Sequence, residues 1–135
     1  MIPDVSPTEA WAALQEGDAR LVDVRTTAEW SYVGLPDLAE AGQEPVLIQW
    51  QVFPTGQPNP DFVAQMQDAG LSPEQRIYFL CRSGVRSRAA AEAARAAGFG
   101  QVFNVADGFE GPHDGEGHRG GIAGWKAAGL PWRQR

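Results

Sequence analysis

The chain has a single cysteine and two histidines. It also lacks any apolar run approaching the roughly 18 residues that mark a membrane span. One cysteine forms no internal disulfide, so the fold does not depend on an oxidising compartment. The opening stretch MIPDVSPTEAW lacks the basic and then apolar layout of a secretory signal, which makes a cytoplasmic location the expectation. Basic residues are scarce as well. Eleven Lys and Arg against 17 Asp and Glu give a net charge of −6, which argues against nucleic-acid binding by bulk electrostatics. None of these shortages limits the core: 135 residues at 43% hydrophobic content suffice for one domain, expected over 1–135.

What is present reads as alternating helices and strands. Ser6 caps a helix with Pro7 at its first position, Glu9 closes a capping box, and Gly17 ends it. Arg20 to Val24 is a β-rich run. Thr26 and Glu29 repeat the capping-box spacing and predict a brief helix reaching Tyr32. Residues 33 to 44 read as loop, and Val46 to Val52 as the second strand. Asn59-Pro60 starts a helix that carries Phe62, Val63 and Met66 on one face. Arg76 to Leu80 is a strand with the near-continuous apolar run of one buried on both faces. A helix over Ser87 to Ala97 stops at Gly98, with Arg88, Glu92 and Arg95 spaced for weak surface pairs. Gln101 to Val105 is the fourth strand, and Ile122 to Ala128 a last helix. The alternation predicts an α/β fold with a central, mostly parallel sheet and helices on both faces.

The only cysteine ends the buried strand, in FLCRSGVRSRA. Taken alone, such a cysteine reads as readily as a small apolar core residue. Its surroundings change that reading. Ligands of open parallel sheets bind beyond the carboxyl ends of the strands, where Cys81 stands. The amides from Arg82 to Ser87 curl toward a helix start, Gly84 permits a tight loop, and arginines flank the thiol. A thiol in this setting is favoured as the thiolate, its reactive form, and needs no histidine base. Phosphatase chemistry places an arginine six positions beyond the loop cysteine, with five residues between, as Cys-x5-Arg. Here that position is Ser87, with Arg86 one residue early and Arg88 one late. A loop from Cys81 through Arg86 is tight for a phosphoryl group but adequate for one added sulfur atom.

These residues, together with Leu21-Val22-Asp23-Val24-Arg25, Glu29-Trp30, Gly34-Leu35-Pro36 and the closing Ile122-Ala123-Gly124-Trp125 through Leu130-Pro131, resemble a single-domain rhodanese, a sulfurtransferase. The resemblance implies that Cys81 takes a sulfur from a small anionic donor, becomes a persulfide, and passes the sulfur to cyanide or a thiol. Arg82, Ser83, Gly84, Val85, Arg86 and Ser87 would bind the donor and the persulfide, with Arg82 and Arg86 attracting negative charge. Asp23, Arg25 and, in similar fashion, Glu29 would brace the site. Arg82 resembles thiosulfate users, whereas Ser83-Gly84-Val85 resembles mercaptopyruvate users, so thiosulfate leads only slightly. The competing reading is a carrier that takes persulfide from a desulfurase and relays it to a protein partner. No metal, organic cofactor, nucleic acid or membrane is expected. The glycine-rich stretch 106–121 holds His113, Asp114, Glu116 and His118 at no standard metal spacing. It is expected to border the active-site mouth.

Overall fold

The computed structural model describes residues 2–51, 55–112, 118 and 123–134. In chain order the main elements are β1 (Asp4–Val5), α1 (Pro7–Glu16), β2 (Ala19–Asp23), α2 (Thr27–Tyr32), β3 (Leu35–Pro36), β4 (Val46–Leu47), α3 (Phe62–Asp68), β5 (Arg76–Leu80), α4 (Val85–Ala96), β6 (Val102–Val105) and β7 (Trp132–Arg133). Five strands form a parallel sheet in the order β1-β6-β5-β2-β4, and β3 pairs with β7 in a separate antiparallel ribbon. Among the described residues no helix is long and apolar enough to cross a membrane.

Both faces of the sheet are covered, and the alternation along β5 shows how. Ile77 and Phe79 join Phe62 and Met66 of α3 and Ala90, Ala91 and Ala94 of α4 in one core. Tyr78 and Leu80 join Ala10, Ala13 and Leu14 of α1 in the other. Alanines on the inner face of α4 keep its axis close to the sheet, so the residues preceding that helix lie directly beyond the strand ends. Both capping boxes form. Ser6 Oγ accepts from Glu9 N at 3.0 Å while Glu9 returns a carboxylate oxygen to Ser6 N. Thr26 and Glu29 do the same at α2.

Several boundaries differ from the sequence expectation. The strand expected to reach Val52 is regular only over Val46–Leu47. Ile48 N and Trp50 N still donate to Asp23 O and Val24 O, but Asn59 ties back to Trp50 O at 2.6 Å. Residue 52 lies outside the described residues. Helix α3 begins at Phe62 because Asn59 Oδ1 accepts from Asp61 N and holds residues 59–61 in a turn. The stretch expected as loop contains β3 and a 3-10 turn at Ala39–Ala41. In place of a last helix, residues 123–129 form turns. Trp125 N donates to Gly108 O and Lys126 N to Phe109 O, and Gly124 and Gly129 take positive φ. Arg88 turns to Ile2 O and the Asp4 carboxylate, pinning β1 to α4, instead of pairing with Glu92. Of the five tryptophans, Trp132 is the exposed one, at 41%, and the others are buried or half-buried.

Candidate active site

Cys81 directly follows the central strand β5, where Leu80 O accepts from Val24 N at 2.8 Å. The thiol is 1% exposed. Gly84 N donates to its Sγ at 3.1 Å, and Ser87 Oγ lies 3.3 Å from the same sulfur. Helix α4 starts at Val85, two residues before the Ser87 start expected from sequence. The difference matters chemically. The first-turn amides of Val85, Arg86 and Ser87 have no acceptor inside the helix, and the earlier start puts the helix N-terminus, with its partial positive charge, next to the loop that carries the sulfur. Gly84 makes the turn with φ +109°, a region that side-chain-bearing residues rarely adopt.

Ser87 carries one hydroxyl proton and has two neighbours for it, the Cys81 sulfur and Asn104 Oδ1. Asn104 is oriented from its other side, where Nδ2 donates to Asp4 Oδ1 at 2.9 Å and to Gly84 O at 3.2 Å. A thiol can therefore donate to Ser87 Oγ while the hydroxyl serves Asn104. With a thiolate, the hydroxyl proton can swing to sulfur. Asn104 was not singled out in the sequence. Its signal is a polar residue inside an otherwise apolar strand, and it is 3% exposed in β6.

Arg86 does not stand open to solvent. Its Nη1 and Nη2 donate to Glu29 Oε1 and Oε2 at 2.7 and 2.9 Å, with both side chains 19% exposed. Burial pushes the Glu29 carboxyl up, but hydrogen bonds and charge from Arg86 and donors from Thr26 outweigh it and hold the group below its ordinary range. The hydrogen bonds it donates to Glu29 likewise raise Arg86, more than burial lowers it. A depressed carboxyl stabilises the fold above its unfolded value near 4.5 and loses that contribution as pH falls through the folded value. Wild type is accordingly expected to exceed Glu29→Gln in stability by on the order of 1 kcal/mol at pH 5 to 7. The margin should shrink below about pH 4.5, as read by urea unfolding at stepped pH. A margin that grows on acidification would contradict the pair.

Asp23 and Arg25 are both fully buried, which sets them apart from a surface ion pair. Arg25 Nε donates to Asp23 Oδ1 at 2.9 Å, and Nη2 donates to Asp23 Oδ2 at 2.6 Å and Gly34 O at 2.7 Å. Its guanidinium lies 4.3 Å from the centre of the Phe109 ring. Phe109 N in turn donates to Cys81 O, while Glu110 N and Gly111 N donate to Arg82 O. The turn after β6 thus buttresses the cysteine loop from behind. Gly108, at its centre, would place a Cβ 2.4 Å from Cys81 O.

An open pocket of about 430 Å³ gathers Glu29, Gln51, Cys81, Arg82, Ser83, Val85 and Arg86. Glu29 therefore belongs to the mouth of the site, unlike Asp23 and Arg25 beneath it. Arg82 is exposed and makes no ion pair among the described residues. Gln51 and Gly108 were missed by the sequence reading; the Asp107-Gly108 pair, both at positive φ, was the available signal for the second. No cluster able to hold a metal occurs among the described residues. His113, Asp114 and Glu116 lie outside them.

A parallel α/β sheet with a thiol-centred loop at the end of its middle strand defines a rhodanese-like protein. A protein-family model described as the STR4 middle domain matches residues 4–135. The crystal structure of Rv0390 from M. tuberculosis is 48% identical, with a TM-score of 0.88 over 98% of each chain. Protein RC0915 of Rickettsia conorii is 35% identical over 133 residues, 98% of each chain. Rhodanese-like domain-containing protein 4, chloroplastic, of Arabidopsis thaliana is 28% identical over 118 residues, which cover 87% of this chain and 22% of that protein. The chain belongs to the rhodanese-like family, a family of the sulfurtransferase type.

Proposed function

We propose that the protein, as one domain over 1–135, moves a sulfane sulfur from a donor to a thiophilic acceptor through a Cys81 persulfide. The observation that carries this reading is the cradle around the only thiol. A backbone amide and a hydroxyl, 3.1 and 3.3 Å from Sγ, are aimed where negative charge rests on sulfur. The Cys81 thiolate attacks the outer sulfur of the donor; the new S–S bond forms as the old one breaks, and the leaving group departs with its electron pair. Cyanide or a thiol then removes the sulfur and restores the thiolate. With thiosulfate as donor the leaving group is sulfite. Ser83, Gly84, Val85 and Ser87 shape the loop around the added sulfur, and Arg82 is the cation that meets an incoming anion. Arg86, expected to share that task, is held by Glu29. Asp23 and Arg25 brace the loop from below.

A relay between proteins is the second reading. Val85 lines the pocket at 78% exposed, an apolar contact at the mouth for a partner's segment. Incubation with a donor followed by intact-mass measurement tests both. Wild type is expected to gain one sulfur, and Cys81→Ser none. Uptake from a cysteine desulfurase but from no small donor favours the relay. Absence of uptake from either sinks both.

A further inference from the structure

We propose that Glu29 determines donor specificity. By occupying the Arg86 guanidinium it makes the pocket take sulfur from thiol-borne persulfides, which react as the neutral R–S–SH form, in preference to the thiosulfate dianion. This rests on the Cys81 sulfur-transfer reading above.

A guanidinium presents a two-pronged edge that fits the oxygens of a carboxylate or of any similar oxyanion. In this site that edge is already filled, by Glu29 Oε1 and Oε2 at 2.7 and 2.9 Å. Glu29 is also anchored from behind. Its Oε1 accepts from Thr26 N at 3.2 Å and Thr26 Oγ1 at 3.1 Å, so the carboxylate belongs to the α2 capping box as well as to the pocket. Thiosulfate could gain that edge of Arg86 only by displacing a carboxylate that is 19% exposed, parting the charge from the counterion it has. Among the described charged side chains lining the pocket, Glu29 and Arg86 cancel, and the exposed Arg82 is the remaining cation. A thiolate at Cys81 consumes that positive charge before any donor arrives. A dianion then finds no net positive charge to offset the loss of its water, whereas an R–S–SH donor needs none. The rest of the lining, Gln51, Ser83 and Val85, is uncharged and suits an organic thiol.

The step balances without an outside oxidant. The Cys81 thiolate attacks the outer sulfur of R–S–SH, an Sγ–S bond forms, and the donor S–S bond breaks. The electron pair leaves on R–S−, which takes the proton of the transferred sulfur. The products are R–SH and the Cys81 perthiolate.

The test compares kcat/KM for thiosulfate with that for the persulfide of 2-mercaptoethanol, generated in solution, in wild type, Glu29→Gln and Glu29→Gln/Arg86→Gln. Glutamine keeps an acceptor for the capping box and removes the charge, so α2 retains its cap. Wild type is expected to favour the persulfide. Glu29→Gln should raise the thiosulfate-to-persulfide ratio by about tenfold, the worth of roughly one charge-assisted hydrogen bond, chiefly through a lower thiosulfate KM. The double variant should lose that gain, which a general loosening of the site does not explain. An unchanged or lower ratio in Glu29→Gln, or a wild type that favours thiosulfate, overturns the assignment while leaving sulfur transfer standing. A wild type that gains sulfur from neither donor overturns the sulfur-transfer reading and this one with it.

Discussion

Asp23→Ala is expected to destabilise the protein by about 3–5 kcal/mol, a fall in Tm of more than about 10 °C. The reason is asymmetric. The substitution removes a small carboxylate but leaves the Arg25 charge fully buried, with Gly34 O as its remaining strong acceptor. Arg25 Nη1 already has no hydrogen-bond partner among the described residues, so the guanidinium has little reserve against loss of its counterion. The consequence extends beyond the pair. Arg25 stacks on Phe109, and Phe109 N holds Cys81 O, so an Arg25 that shifts toward water pulls on the support of the cysteine loop. Urea unfolding measures the loss. The companion variant Asp23→Leu/Arg25→Met removes both charges and should cost clearly less than Asp23→Ala alone. If the double variant is the less stable of the two, uncompensated burial of charge is not what makes Asp23 necessary.

Much of the layout could be read in advance because it rests on short-range rules. The capping boxes at Ser6 and Thr26 need only local spacing and a hydroxyl, and both form. The β5 run Ile77-Tyr78-Phe79-Leu80 is apolar at every position because its side chains alternate between two cores, a demand visible in one dimension. Cys81 follows from that strand, and the loop from its glycine and arginines. Other features were hidden because they depend on chain segments far apart in sequence. That Arg86 spends its charge on Glu29, 57 residues away, cannot be read from the loop, where it looks like one more donor-binding cation. Asn104 is the hydrogen-bond partner of Ser87 only because β6 lies beside β5 in this register. The two-residue strands β1, β3 and β7 carry too few residues for any periodicity to show. The expected last helix failed through a long-range contact: amides of Trp125 and Lys126 are claimed by carbonyls of the turn at 108–109, which overrides local helix preference.

That turn also makes Gly108 a sharp probe of the site. Gly108→Ala is expected to cost roughly 2–4 kcal/mol and to slow sulfur transfer by about 10²-fold or more. Two effects add. Gly108 sits at φ +61°, where a side chain costs about 1 kcal/mol. The added Cβ would also lie 2.4 Å from Cys81 O and 2.6 Å from Arg82 C and O, all of them backbone atoms. Relief requires one backbone to retreat. The turn is held by Trp125 N on Gly108 O and by Gly111 and Gly124, which are themselves too close to their neighbours to accept a Cβ. The strain therefore falls on Cys81 and Arg82, displacing the sulfur from the Gly84 amide and the Ser87 hydroxyl. Gly98→Ala separates the two effects. Gly98 also has positive φ, +108°, but nothing lies within 4 Å of its would-be Cβ. It should lose only about 1 kcal/mol and transfer sulfur at the wild-type rate. If Gly108→Ala matches Gly98→Ala in both unfolding and rate, the turn after β6 does not set the position of the reactive sulfur.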